Sequence, residues 1–382
     1  MENWLYNEEH ENFRKKARSF VEKEIIPFID DWERAEEFPK ELYRRMGEQG
    51  FFSLKFPKEY GGTEAGLLTS AVLIEEMTRS GSGGTDAGLG AHHGIALTPV
   101  WKFGNDDQKR RYLAPGIRGE KIAALGITEA DTGSDVASIR TTARKEEDYY
   151  ILNGNKMFIT NGVRADFVVI AAKTDPTAKH KGISLFIVDT DSPGFSVGRK
   201  LKKLGWRSSD TAELILEDVK VPLSNLIGEE NKGFYYVMGN FQWERLIIAL
   251  KSVNIADLAM ENAIRLVKER AQAGLPIDQA TRYKLADLTV EIEKARHLTY
   301  HALYLHANGL DDLTEITMAK ALAAEMVREV TEAVLQLFGG EGYLMDSRIQ
   351  LYWRDARLYS IGGGTTEIMN EILVKRLGIG IK

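Results

Sequence analysis

The hydrophobic period of this chain changes twice, and those two changes restrict its fold more than any single motif. Up to about residue 120 the apolar residues follow helical spacing. Phe13, Ala17, Phe20, Val21 and Ile25 form one such series, and Pro27 ends it. A second helix is expected from Pro39 to the stop signal Gly50, and a third from Leu68 to Met77. The segment from Phe56 to Gly66 reads as loop. After the breaker Gly81-Ser82-Gly83-Gly84, the small residues from Ala87 to Leu97 suit a closely packed interior helix.

From Ile122 the pattern becomes a series of short β-type runs: Ile122 to Thr128, Ile139 to Ala143, Tyr149 to Leu152, Lys156 to Thr160, Phe167 to Ala172, Ile183 to Val188, Phe195 to Val197 and Ala212 to Val219. Turn residues separate them, which predicts a small antiparallel barrel or sandwich ending between Pro222 and Gly228. The helical period returns near Lys232 in segments 234–270, 282–307, 314–337, 347–358 and 366–377. Leu285, Leu288, Ile292 and Ala295 trace one apolar face, as in a bundle. The expected fold is therefore α+β in three domains: 1–121 helical, 122–228 β, and 229–382 a helical bundle. A length of 382 residues agrees with two or three cores.

Composition excludes several chemistries. The chain has no cysteine, so disulfides, thiolate nucleophiles and cysteine-held metals are ruled out; this is compatible with a reducing cytosol. A net charge of −6 provides no basic field for nucleic acid. No apolar run approaches the ~20 residues needed to cross a bilayer, and the acidic start M-E-N-W-L-Y-N-E-E-H does not resemble a signal peptide. A soluble, cytoplasmic protein is expected. No G-x-G-x-x-G or Walker pattern occurs. His297 and His301 stand at i, i+4, but no carboxylate completes a zincin-like motif, so no metal site is expected. The adjacent His92 and His93, in the small-residue helix, are read as hydrogen-bonded structural residues.

Three stretches could carry chemistry. In Leu125 to Asp135, L-G-I-T-E-A-D-T-G-S-D, an apolar strand ends in a turn of short polar residues and free N–H groups. Lys156 to Gly162, K-M-F-I-T-N-G, is a second strand ending in the same way, and an Asn153-Gly154 hairpin signal joins the two. They form either one wall of a cofactor site or two solvated turns. In Phe241 to Ile248, F-Q-W-E-R-L-I-I, the helical neighbours of Glu244 are Phe241, Ile247 and Ile248, so a carboxylate lies on an apolar face. It is either a structural ion-pair partner or a base whose pKa is raised by desolvation. In Tyr359 to Ile368, Y-S-I-G-G-G-T-T-E-I, three glycines lead into a helix capped by Thr. This is either an oxyanion or phosphate site or a plain connecting loop.

T-E-A-D-T-G-S-D followed by F-I-T-N-G resembles the acyl-CoA dehydrogenase flavoenzymes, and the resemblance extends over nearly the whole chain. It implies their three-domain fold, with a four-helix bundle at the C-terminus, and FAD as cofactor. Leu125, Ile127, Thr128, Gly133, Ser134, Phe158 and Thr160 are then the expected flavin contacts. Thr365 and Glu367 reach the ADP half, and Arg270, Gln336 and Gly340 contact the FAD of a neighbouring subunit. Many members carry their catalytic glutamate at the position of Gly363. The long-chain and isovaleryl types instead carry it on a bundle helix, in a pattern like Glu244-Arg245-Leu246. Closeness to the long-chain type also shows in His180 to Phe186, Asp210 to Leu214 and Gly228 to Tyr236.

The resemblance thus makes Glu244 the base and the Gly363 N–H an oxyanion donor. Ser134, Phe241, Arg245, Gly362 and Gly363 are the expected acyl-CoA contacts. Gly362 and Gly363 are expected to leave room beside the α-carbon. The implied partners are an acyl-CoA substrate, electron-transferring flavoprotein and further copies of the chain in a homotetramer; the implied setting is fatty-acid β-oxidation. Arg270-Ala271-Gln272-Ala273-Gly274 departs from the family's R-x-x-F-G by lacking the phenylalanine. Two other functions suit the same sequence: a flavin oxidase or monooxygenase on this scaffold, and a noncatalytic acyl-CoA-binding protein.

Overall fold

The computed structural model describes residues 4–379. Its N-terminal part is helical: α1 (Glu8–Glu24), α2 (Ile29–Ala35), α3 (Glu41–Glu48), α4 (Gly66–Thr78), α5 (Gly83–Gly90), α6 (Leu97–Phe103) and the short α7 (Asp106–Gln108) and α8 (Ala114–Ile117). Asn7 starts α1 with a reciprocal cap: its side chain accepts from the His10 N–H, and its own N–H donates to His10 Nδ1, both at 3.1 Å. Pro27 lies just past its end, as expected. The α1 arginines hold two buried carboxylates of α4, with Arg14 Nη1 2.6 Å from Glu75 Oε2 and Arg18 Nη2 2.8 Å from Glu76 Oε1. Between α5 and α6 the backbone widens into a π-helical turn over Ala91–Ala96, a geometry often found beside functional sites.

The middle part holds β1 (Ala123–Gly126), β2 (Thr142–Lys145), β3 (Tyr149–Thr160), β4 (Phe167–Lys173), β5 (Ile183–Asp189), β6 (Phe195–Lys200), β7 (Thr211–Pro222) and β8 (Leu226–Ile227). Their order is β6-β7-β3-β2-β4-β5-β8, with β1 added beside β4. Residues of β4 alternate between two cores, as period-two geometry requires. Phe167, Val169 and Ala171 pack on the N-terminal helices, among them Leu97 and Leu113. Val168, Ile170 and Ala172 share the other core with Leu152 of β3 and Leu214 of β7, so the sheet curls around that interior.

Two expectations about the sheet change. It is mixed, since β1 pairs with β4 in parallel and β2 touches β4 in parallel at Thr142 and Lys173. Asn153-Gly154 is not a hairpin turn, because the two short runs on either side form the single strand β3. The ladder to β7 continues on both sides of a bulge there. Gly154 has φ +147° and lies against Thr141, where a Cβ would come within 2.6 Å of Oγ1. The glycine serves close backbone packing.

The C-terminal part contains the long α9 (Gly233–Gln272), α10 (Gln279–Ala307) and α11 (Leu313–Phe338), then α12 (Gly340–Tyr343), α13 (Arg348–Ala356) and α14 (Thr366–Arg376). Leu246, Val253 and Leu258 of α9, Leu288 and Ile292 of α10, and Ala323, Val327 and Val330 of α11 share its core. The fold is thus helical domain, β-sheet domain, helical domain. Among the described residues no helix is long and apolar enough to cross a membrane.

Candidate active site

Glu244 lies about three turns into α9, where burial pushes its pKa up to about 8. Arg245, the Asn240 amide and Lys55 pull it down by smaller amounts. Asn240, one turn earlier, donates to Glu244 Oε1 at 2.8 Å. Arg245 is buried, and its Nε faces the Gly363 carbonyl at 3.4 Å. From α11 the fully buried Lys320 donates to the Gly364 carbonyl. Two cations from neighbouring helices thus hold the glycine loop by its carbonyl oxygens, which turns N–H groups elsewhere. Among the described residues the Gly363 N–H has no hydrogen-bond acceptor.

Gly363 and Gly364 have φ of +65° and +96°, conformations that side chains resist. A Cβ on Gly363 would also lie 2.5 Å from Ile248 Cδ1. The space a side chain at position 363 would use is therefore filled from α9, one turn after Glu244. The room expected beside Gly363 is taken by Ile248, while a Cβ on Gly362 would meet nothing closer than 3.7 Å. After the loop, Thr365 caps α14 by accepting from the Ile368 N–H at 3.3 Å. Glu367 stands exposed in that first turn, its pKa lowered by backbone N–H and Thr365 hydrogen bonds.

The two motif-bearing strand ends do meet. The Met157 N–H donates to the Thr128 carbonyl at 2.8 Å, and Lys156 Nζ reaches the Ile127 carbonyl at 3.1 Å and Glu129 Oε1 at 2.7 Å. Burial presses the Lys156 amine down to about 8, against the opposing pull of Glu129. Burial also disfavours charge on Glu129, but Lys156, Thr141 and the Arg140 N–H outweigh it and hold the carboxyl below its usual range. This buried pair and the Met157 contact tie the Ile127–Glu129 segment to the end of β3, next to Phe158.

Phe158 is presented outward from the bulge before Ile159: it is 64% exposed, with φ +61°. In the adjoining turn the N–H groups of Gly133 and Ser134 find no acceptor among the described residues. A Cβ on Gly133 would meet nothing within 4 Å, and the buried Thr132 hydroxyl is unpartnered. This is an open cradle of donors beside an exposed aromatic face.

Arg270, Gln336 and Gly340 are elsewhere. Arg270 is 26 residues beyond Glu244 on the same helix, about 39 Å along its axis. Its Nη2 approaches the Leu337 carbonyl at 3.4 Å, near the exposed Gln336 and Gly340. One copy of the chain cannot bring this group to Glu244.

Sequence models of three domains match in order: the N-terminal domain of acyl-CoA dehydrogenase over residues 7–120, the middle domain over 124–219 and the C-terminal domain over 231–378. The chain belongs to the acyl-CoA dehydrogenase family. It is 40% identical over 366 residues to the acyl-CoA dehydrogenase of Bacillus subtilis, covering 95% of this chain and 96% of that one. It is also 40% identical over 375 residues to the 3-(aryl)acrylate reductase of Clostridium sporogenes, covering 98% and 99%. Among solved structures, the acyl-CoA dehydrogenase from Geobacillus kaustophilus superposes with a TM-score of 0.95 at 40% identity, covering 98% of this chain and 99% of that chain.

As a member of this family the protein is an oxidoreductase acting on a CH–CH group, and the family's cofactor is FAD. The residues present fit that cofactor. The unpaired N–H groups at Gly133 and Ser134 suit a pyrophosphate, and Phe158 provides a bare ring for an isoalloxazine.

Reading the sequence alone missed the roles of Lys55, Glu129, Lys156, Asn240, Ile248 and Lys320. Asn240 had a signal, being four residues before Glu244 on a helix. Glu129 and Lys156 sit inside the two quoted motifs as opposite charges at strand ends. Lys55 and Lys320 come from distant segments and had none.

Proposed function

We propose that the protein removes two hydrogens from an acyl-CoA thioester to give a trans-2-enoyl-CoA, with Glu244 taking the α-proton. The observation that carries this reading is a half-buried carboxylate whose pKa is pushed up to about 8, beside a loop whose Gly363 N–H is unpaired. A base working near neutral pH needs its pKa in that range. The α-proton of a thioester is too weakly acidic for a carboxylate unless the developing oxyanion is stabilised. The Gly363 N–H, aimed by the Arg245 and Lys320 contacts to the carbonyls of Gly363 and Gly364, is the donor this chain offers. Asn240 fixes the rotamer of Glu244.

Leu125, Ile127, Thr128, Gly133, Ser134, Phe158, Thr160, Thr365 and Glu367 would hold FAD, which would supply the acceptor for the hydride leaving the β-carbon. Phe241, which the Arg245 guanidinium approaches at 5.9 Å, and Gly362 complete the acyl-CoA contacts. Arg270, Gln336 and Gly340 serve a neighbouring copy in a homotetramer, and electron-transferring flavoprotein takes the electrons. Cytoplasmic fatty-acid β-oxidation is the setting that suits this reading.

A second direction has support of its own. At neutral pH a carboxyl with a pKa near 8 is mostly protonated, so the same Glu244 can return a proton to the α-carbon of an enoyl or arylacryloyl thioester. The 40% identical arylacrylate reductase makes that direction concrete.

The test is anaerobic bleaching of the ~450 nm flavin band by saturated acyl-CoAs. Bleaching is expected in the native protein and absent in Glu244→Gln, which should still bind FAD. A Glu244→Gln variant that the substrate reduces at the native rate overturns the assignment.

A further inference from the structure

A narrow cavity lies between α4, the α5–π segment and α9. Leu73, Met77, Trp243 and Ile247 form its apolar wall, and Lys55, Asp86, His93 and Lys251 also line it. Trp243 and Ile247 flank Glu244 on α9, and the Gly94 carbonyl bound by Lys55 belongs to the residue packed on Ile247. The cavity therefore shares the α9 wall that carries Glu244. A site for a plain hydrocarbon tail would be expected to end in apolar groups. This one is lined by charged groups as well.

Those charges do not cancel. Lys251 Nζ and Asp86 Oδ2 are 3.1 Å apart, both nearly inaccessible to solvent, and neutralise each other. His93 keeps Nδ1 on the Leu89 carbonyl at 2.9 Å and stacks on Phe52; burial holds its pKa at about 3, so it is neutral. Lys55 is different. Its ammonium donates to Thr98 Oγ1 at 2.7 Å and the Gly94 carbonyl at 3.0 Å, and no carboxylate among the described residues forms an ion pair with it. Its third N–H has no acceptor among the described residues, and Lys55 lines the cavity. The charged groups it senses are Lys102, which opposes its charge, and Glu244, which favours it, while burial presses its amine down to about 7. An anion beside it would relieve that cost.

Resting on the assignment of Glu244 as base, we propose that Lys55 reads the far end of the acyl group, and that the preferred substrate is a short acyl-CoA ending in a carboxylate. Such an end accepts a charge-assisted hydrogen bond from Lys55. An alkyl end would remove the remaining water from the ammonium and return nothing. The cavity is small, with room for little more than one water-sized group, which suits a short acyl group.

The experiment is anaerobic titration calorimetry of the FAD-loaded protein with thioester pairs matched in carbon count: succinyl- with butyryl-CoA, glutaryl- with pentanoyl-CoA, adipyl- with hexanoyl-CoA. In at least one pair the carboxylate-ended member should bind about tenfold more tightly or better. In Lys55→Met that ratio should fall to near one, and in Lys55→Arg it should largely survive. Native ratios near one, or ratios favouring the methyl-ended members, overturn the proposal; so does a Lys55→Met variant that keeps the native ratio. If Lys55→Met does not fold, the native ratios together with Lys55→Arg decide the matter. Flavin bleaching in the same samples separates the two readings. Selective binding without bleaching by any thioester sinks the dehydrogenation and leaves Lys55 as the selector, whereas bleaching by methyl-ended thioesters with no selective binding does the reverse.

Discussion

The side-chain amide of Asn240 donates to Glu244 Oε1 across 2.8 Å, one helical turn upstream on α9. Burial alone would place the pKa of Glu244 higher still; Arg245, then Asn240, then Lys55 bring it back to about 8. The active form of a base is its ionised form. The rate of flavin reduction should therefore rise with pH and reach half its plateau near pH 8. Removing the amide removes a group that favours ionisation, so Asn240→Ala should move the midpoint upward. A pH profile of anaerobic bleaching in both proteins checks this, and an unmoved midpoint in the variant would show that the hydrogen bond does not reach the working base.

Gly363 and Ile248 fit each other. A methyl group on residue 363 is opposed twice, by the positive φ and by Ile248 Cδ1 at 2.5 Å. Gly363→Ala should cost about 1–3 kcal/mol through the backbone conformation, with the contact adding to it. Ile248→Val deletes the obstructing methyl and costs about 0.5–1.5 kcal/mol by itself. The double variant should be more stable than the sum of the two losses, with the φ cost remaining. Denaturant unfolding of the four proteins gives that coupling, and strict additivity would refute the contact.

Phe158 is held in a left-handed conformation while most of its ring faces outward, an arrangement that folding alone does not favour. Phe158→Gly should therefore raise the stability of the FAD-free protein by about 1 kcal/mol and weaken FAD binding. Unfolding of the stripped protein and fluorescence titration with FAD test both halves. A variant that loses stability and keeps its FAD affinity would mean that the ring serves the fold.

The buried Glu129–Lys156 pair should behave as a unit. Lys156→Met leaves a buried carboxylate without its cation and should cost about 3–5 kcal/mol. Adding Glu129→Gln removes the orphaned charge and should recover at least half of that loss in urea unfolding. An equal or larger loss in the double variant would mean that the pair contributes little beyond its hydrogen bonds.

How much of this could be read in the residues depended on how local the cause was. The Thr128 to Ser134 turn, Phe158 and Thr160, and Glu244 stand in contiguous stretches whose chemistry shows in the residue types. The long helices were legible for the same reason, since a 3.6-residue period needs no partner to be recognised. Asn153-Gly154 misled because a turn signal describes local backbone preference, whereas the ladder between β3 and β7 and the approach of Thr141 decided the outcome. The space beside Gly363 misled similarly, because the residue that fills it lies 115 positions earlier. Lys55 and Lys320 left no local mark. Lys320 is buried and Lys55 half-buried by segments far away in sequence, and only packing makes a lysine there unusual.

Glu244 should also leave a mark on stability that does not depend on catalysis. An ordinary carboxyl titrates near 4.5, and in the folded protein this one titrates near 8. The folded state therefore binds the proton more tightly than the unfolded chain does. Such a group contributes its full stability below the unfolded pKa and loses it progressively as pH rises to the folded value, levelling off above it. Glutamine cannot ionise and carries no such loss. The melting temperature of FAD-free Glu244→Gln, relative to the native protein, should thus climb from about pH 5 to about pH 8 and then stay level. Thermal unfolding across that range measures it without substrate or cofactor. A difference that stays flat would place the Glu244 carboxyl in the ordinary range, and the proposed base would lose the property that suits it to the reaction.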